Sequence, residues 1–140
     1  MKQIIAKIVS KLSGAVLILW ALPWTLVGAV VGLLGLASGG RMQLHSGVLE
    51  CYGGFVAWLL ERLPVEPLAM TLGHSVLGRT AAALDITRRH ERIHVRQYER
   101  WGPMFVPAYL LCSLVLWWRG EDAYRQNPFE REAFEKERLP

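Results

Sequence analysis

The chain has one long apolar stretch near its N-terminus and a second, shorter one after residue 102, with mixed polar and apolar residues elsewhere. Residues 13–38 contain no charged side chain. As a helix, this stretch would extend about 39 Å, which exceeds the roughly 30 Å hydrocarbon core of a bilayer. We therefore predict that residues 1–40 form a membrane anchor.

Pro23 lies near the middle of this anchor, flanked by Trp20 and Trp24. Proline removes a backbone donor and disfavours helix at the residue before it, so the anchor is either one kinked helix or a hairpin of two short arms. We favour the hairpin. A cleaved secretory signal is the competing interpretation, but the apolar core of a signal is usually about 7–15 residues long, so we expect the anchor to be retained.

Two glycines of the anchor, Gly28 and Gly32, are four residues apart. This small-xxx-small spacing permits close contact between membrane helices. Their face is therefore a possible contact for a homo-oligomer or hetero-oligomer, although such glycines are also common in membrane helices without that role.

The region after residue 40 has the short alternating runs of a small antiparallel sheet. Arg41–Tyr52 contains a plausible hairpin turn at His45-Ser46-Gly47, and Met70–Leu77 alternates between larger and smaller side chains. Between these strands, Phe55–Leu63 has the composition of a short apolar helix.

A longer helix with one charged side is predicted to end at Trp101. Asp85 can be its N-cap, Thr80 opens an alanine-rich helical lead into it, and Gly102-Pro103 provides the stop. The side opposite the apolar stripe faces water or lipid headgroups, because five arginines lie there: Arg88, Arg89, Arg92, Arg96 and Arg100.

Composition agrees with a membrane protein, since 52% of the residues are hydrophobic and the mean hydropathy is +0.23. The net charge of +4 comes mostly from arginines near the predicted membrane segments, which suits anionic lipid headgroups. We expect no nucleic-acid partner, because no interleaving of aromatic and basic residues is visible. The two cysteines, Cys51 and Cys112, predict neither a disulfide framework nor a cysteine zinc site.

Candidate chemistry centres on His90-Glu91-Arg92-Ile93-His94. In a helix, residues four apart lie on one face, so the two imidazoles can bind one ion while Glu91, one step round, points at the ion's open position. The alternative is that both histidines are surface residues of a charged helix.

A catalytic zinc site needs a third protein ligand, and Glu130 is the best candidate because it follows His94 on a new helix. The competing interpretation is a capping box, with Asn127 as N-cap, Pro128 at the first helical position and Glu130 at the third. Glu132 is then available for the role that Glu130 does not take.

His90-Glu91-x-x-His94 followed by Glu130-x-Glu132-Ala133 resembles the gluzincin pattern of HtpX-like and CAAX-processing membrane metallopeptidases. The resemblance implies that His90, His94 and Glu130 bind zinc and that Glu91 is the general base. It covers residues 85–134, and Phe134 stands where those families place an aspartate. Residues 41–140 would then form a minimal zincin-like domain that includes the apolar segment 103–118.

A zinc site shared by His90, His94 and Glu130 would constrain the membrane topology. The apolar segment Pro103–Trp118 lies in sequence between the two histidines and Glu130. A complete crossing by this segment would place the ligands on opposite sides of the membrane. We therefore predict a short helix that dips into the membrane or lies at its interface and returns. Eight arginines in residues 41–102 favour the cytoplasmic side of an inner membrane.

The sequence therefore predicts an α+β integral membrane protein with an N-terminal kinked helix or hairpin, a small antiparallel sheet, a zincin-type active-site helix, a short apolar helix and a C-terminal ligand helix. Its expected function is zinc-dependent hydrolysis of a peptide or protein substrate at the bilayer surface. The alternative is a non-catalytic interaction or assembly module with a structural or vestigial zinc site. Four side chains remain open as donors to a developing oxyanion: His74, Tyr98, Tyr109 and Tyr124.

Overall fold

The computed structural model describes residues 2–139 and, among residues 2–12, the side chains of Lys7 and Lys11 only. The described residues form an α+β fold, as predicted. In chain order its elements are α1 (Lys2–Ala37), β1 (Arg41–His45), β2 (Val48–Tyr52), α2 (Gly54–Leu60), β3 (Ala69–Leu72), β4 (Ser75–Gly78), α3 (Ala81–Trp101), a 3-10 turn (Gly102–Met104), α4 (Phe105–Trp118) and α5 (Pro128–Glu137).

Helix α1 continues through Pro23, so the predicted hairpin is wrong. An interior proline costs a helix about 3 kcal/mol or more, and contacts on both sides of Pro23 offset that cost. Ala21 is fully buried, the Trp24 indole N–H donates to the carbonyl oxygen of Pro103 at 3.0 Å, and the Thr25 hydroxyl accepts from the backbone N–H of His74 at 2.9 Å. Tertiary packing therefore keeps the two halves of α1 in one helix.

The sheet has the strand order β1-β2-β4-β3 and is mixed, not antiparallel as predicted. The pairs β1–β2 and β3–β4 are antiparallel hairpins, whereas β2 and β4 are parallel. Strands β2 and β4 are parallel because the chain leaves β2 through α2, forms the outer strand β3, and then returns as β4 between β2 and β3. The predicted run Met70–Leu77 is two strands, because Gly73, with φ of +63°, and His74 form a turn within it.

The glycine face of α1 packs against this sheet. A Cβ atom placed on Gly28 would lie 2.6 Å from Ser75 Cβ, and one on Gly32 would collide with Cys51 Sγ. The face considered above as an oligomer contact is therefore occupied by the chain's own strands. Its small residues allow the helix to approach the sheet closely.

Helix α3 begins earlier than predicted, because Thr80 and not Asp85 is its N-cap. The Thr80 hydroxyl accepts from the backbone N–H of Ala83 at 3.0 Å, and the alanines that follow favour helix. Asp85 instead pairs with Arg88 on the helix surface. The helix therefore has 21 residues, and it packs mainly against β3 and β4 of the sheet.

The arginine side of α3 was predicted to face water or lipid headgroups, but two of its arginines contact the sheet instead. Arg88 forms an ion pair with Glu50 of β2, whose carboxylate is buried, with 2.9 Å between Arg88 Nε and Glu50 Oε1. Burial alone would raise the pKa of Glu50, but hydrogen bonds from Arg88 and Gln43 outweigh it and lower that pKa. Arg92 donates to backbone carbonyls of the β1–β2 turn.

After α4 the chain turns back along the same helix. Ser113 donates to the carbonyl oxygen of Ala123 at 2.8 Å, and the Asn127 side-chain amide donates to the carbonyl oxygen of Tyr109 at 3.0 Å. Helix α5 consequently packs against α3. Residues on either side of the apolar segment thus meet, as the three-ligand prediction requires.

Two helical stretches are long and apolar enough to cross a membrane by length and composition, Ser13–Ala37 and Ala81–Trp118. The apolar part of the second stretch is α4, since α3 carries the arginines described above. Large apolar side chains are exposed on both helices, with Trp117 and Trp118 at the end of α4 exposed by 70% and 85%.

Candidate metal centre

Helix α3 presents His90, Glu91 and His94 on its buried side. The three residues are only 8%, 5% and 7% exposed. Because the histidines are one helical turn apart, their Nε2 atoms approach to 3.2 Å. The spacing predicted from sequence is therefore present as a pair of converging imidazoles.

Helix α5 brings Glu130 to the same point. Its Oε2 lies 3.1 Å from His90 Nε2, and its Oε1 lies 3.5 Å from His94 Nε2. One possible ligand atom from each of the three residues lies within 4.8 Å of the other two. The predicted third residue thus meets the motif helix across 36 positions of sequence.

The capping-box alternative for Glu130 is not what the structure has. Asn127 is the N-cap and accepts from the backbone N–H of Phe129, as predicted, but its own N–H donates to the carbonyl oxygen of Tyr124 at 3.0 Å. The Glu130 carboxylate contacts the histidines and accepts from the Tyr109 hydroxyl at 2.7 Å. The helix is capped without it.

Glu132 faces another way. Its carboxylate accepts from Gln97 at 2.8 Å and from Arg100 at 2.9 Å, and it also contacts Lys136. It touches neither histidine directly. Its effect on the site passes through Gln97, whose side-chain oxygen lies 2.8 Å from His94 Nδ1.

The carboxylates of Glu130 and Glu91 have different electrostatic environments. Burial alone would raise the pKa of Glu130, but hydrogen bonds from His90 and His94 lower it to about 2, so this carboxylate is anionic at neutral pH. The pKa of Glu91 is raised, chiefly by its burial, even though His94 and a hydrogen bond from Thr71 act in the opposite direction. Glu91 therefore binds a proton more readily than Glu130 does.

A cavity of about 230 Å³ lies against this cluster. Glu91 is part of its wall and is held by Thr71 of β3, whose hydroxyl donates to Glu91 Oε2 at 2.6 Å. Most of the wall is apolar, and no lysine or arginine of the described residues lines it. Its larger apolar residues are Leu63, Val65, Met70, Leu72, Phe105, Val106 and Leu110.

The four candidate oxyanion donors occupy different places. Tyr109 and Tyr124 line the cavity, and Tyr98 lines it too while donating to the carbonyl oxygen of Thr71. His74 is not at the cavity, because its Nε2 contacts Glu99 Oε1 at 3.0 Å beside α1.

Sequence reasoning missed Thr71, Gln97 as a partner of His94, and Glu137 as a partner of His90. Helical spacing was an available signal for two of them, since Gln97 is three residues after His94 and Glu137 is two turns after Glu130. Thr71 carried no local signal, because only the sheet brings it to α3.

No protein-family model, curated protein or solved structure matches this chain. The gluzincin resemblance of residues 85–134 therefore stays a prediction. The case for a function depends on the geometry of the cluster itself.

We expect Glu130→Ala to weaken zinc binding by more than the roughly 10–100-fold typical of removing an outer hydrogen-bond partner, because a direct ligand is lost. Glu132→Ala is the matched control, since it removes the same charge from the same helix two residues away. Chelator competition measures both dissociation constants. Equal affinities in the two variants would show that Glu130 is not a ligand.

Proposed function

We propose that this protein is a membrane-bound zinc metallopeptidase of the gluzincin type. The observation that carries the proposal is the convergence of His90, His94 and Glu130 at the wall of a cavity, beside a second carboxylate, Glu91, that does not converge with them. A metal site with a purely structural role is usually closed by four protein ligands and has no use for such a carboxylate.

The donor set fits zinc. Two imidazole nitrogens and one carboxylate are a ligand set of catalytic zinc sites, and they leave one position open. The outer nitrogen of each imidazole already has an acceptor, so Nε2 is left to face the ion. Zinc bound there would lower the pKa of water to about 7 and polarise a substrate carbonyl.

Glu91 has the properties of a general base. It is buried, its raised pKa brings it closer to neutrality, and the Thr71 hydroxyl fixes its orientation. In the proposed reaction Glu91 accepts a proton from the attacking water and delivers it to the nitrogen of the departing amine. The Tyr109 hydroxyl already donates to Glu130 and so orients that carboxylate, which leaves Tyr124, also in the cavity wall, as the candidate donor to the reacting carbonyl oxygen.

The cavity indicates the kind of peptide that it would hold. Two of its apolar residues, Val65 and Leu110, are 56% and 59% exposed, so the apolar wall continues to the surface. No lysine or arginine of the described residues lines the cavity to bind an acidic side chain of a substrate. A substrate with apolar side chains next to the cleaved bond fits best.

The proposed location is the cytoplasmic face of an inner membrane, with α1 as the crossing helix and membrane lipids around the apolar faces of α1 and α4. Eight arginines between residues 41 and 102 favour the cytoplasm for this domain. Because α1 is one continuous helix, the N-terminal lysines would lie on the opposite face.

We expect Glu91→Gln to keep about one zinc per chain and to lower peptidase activity by about 10²–10⁴-fold, the range typical of losing a general base. The assay uses quenched fluorescent peptides with apolar residues in detergent. His94→Ala is the comparison, because it should lose both zinc and activity. Zinc binding with no activity in the unmodified protein on any such peptide would favour the non-catalytic assembly module.

Topology provides a separate test. In a background without Cys51 and Cys112, we expect single cysteines at Leu44 and Glu135 to react with an impermeant maleimide in inverted vesicles. A cysteine at Lys11 should react only in right-side-out vesicles, because α1 separates it from the domain. Reaction of the Leu44 and Glu135 positions from opposite faces would rule out the shared zinc site.

A further inference from the structure

Helix α5 contacts His90 on three sides. Glu130 Oε2 lies 3.1 Å from Nε2, Glu137 Oε2 lies 2.9 Å from Nδ1, and the Phe134 ring centre lies 4.7 Å from the imidazole centre. Residues 130, 134 and 137 share one face of the helix because they are four and seven positions apart. One helix therefore holds both nitrogens and the ring of a single histidine.

The contact with Glu137 decides which nitrogen can bind a metal. A neutral imidazole carries one proton, and the nitrogen without it is the one that can be a ligand. A carboxylate beside Nδ1 accepts a hydrogen bond, which keeps the proton on Nδ1 and leaves the lone pair of Nε2 directed at His94 and Glu130. Glu137 thus prepares His90 before any ion arrives.

The two histidines differ in this respect. The outer partner of His94 is the neutral amide of Gln97, whereas that of His90 is a carboxylate, which raises the basicity of the imidazole more strongly. The residues that follow α5 are also bound to α3, because the guanidinium of Arg89 donates to the carbonyl oxygen of Leu139. This contact holds the end of α5 against α3 and so keeps Glu137 next to His90.

Phe134, one turn before Glu137, packs against the ring of His90 and has no hydrogen-bond acceptor in its side chain. The carboxylate comes from the next turn of α5, at the end of the helix, where its side chain is 31% exposed.

We infer that Glu137 is the positioning residue of His90, holding the proton on Nδ1, and that the last turn of α5 thereby sets the zinc affinity of the site. This inference rests on the proposed zinc site. It adds a residue to the site that contacts no substrate and no ion and acts only through His90.

The test compares Glu137→Met with Glu135→Met in the full-length protein in detergent. Both variants remove one carboxylate from α5 and keep a long side chain of good helix propensity, but Glu135 is exposed and away from His90. Chelator competition with zinc alone should show affinity about 10–100-fold lower for Glu137→Met and unchanged for Glu135→Met. Glu137→Gln, which keeps an acceptor oxygen, should recover most of the affinity.

Melting temperatures in excess chelator separate positioning from folding. The hydrogen bond between Glu137 and His90 forms without the ion, so we expect Glu137→Met to melt somewhat lower than Glu135→Met in chelator but to remain folded at the temperature of the zinc assay. Equal zinc affinities for the two methionine variants would overturn the inference and leave the proposed function standing. Unfolding of Glu137→Met at that temperature, with no recovery of affinity in Glu137→Gln, would also overturn it. Absence of zinc binding by the unmodified protein would instead refute the proposed function.

Discussion

The structure depends on one buried polar contact, the meeting of His90 and His94 on α3 with Glu130 on α5. Burying an ionisable group costs free energy unless the group is paired. These three buried side chains therefore stabilise the fold only when they contact one another. The turn after α4, the Asn127 cap and the return of the chain along α4 all place Glu130 where the histidines need it. Without that return, α3 would bury two imidazoles with no anionic partner.

Helix α1, the proposed membrane anchor, is connected to the candidate site through the β3–β4 hairpin. Thr25 and Gly28 of α1 contact this hairpin closely, and β3 carries Thr71, which holds the Glu91 carboxylate. The glycine face of α1 therefore positions the strand that orients the proposed base. The proposed anchor helix is therefore also part of the scaffold of the candidate site.

The elements governed by local spacing were predictable from the sequence. The His90–His94 pair follows from helix geometry alone, the Asn127 cap from a local signature, and the β1–β2 hairpin from its Ser46-Gly47 turn. Features decided by tertiary packing were not predictable in this way. Pro23 stays helical because its neighbours are bound to distant residues, and the sheet is mixed because β4 inserts between β2 and β3. Thr71 likewise reaches the site only through the packing of the sheet against α3, whereas Glu137 could have been predicted from its position two turns after Glu130 on one helix.

The most direct measurement of the central claim is X-ray absorption at the zinc edge of the purified protein. We expect about one zinc per chain with nitrogen and oxygen neighbours at about 2.0–2.2 Å and the outer-shell signal of two imidazoles. Sulfur neighbours at about 2.3 Å, or a spectrum without the imidazole signal, would contradict a site formed by His90, His94 and Glu130.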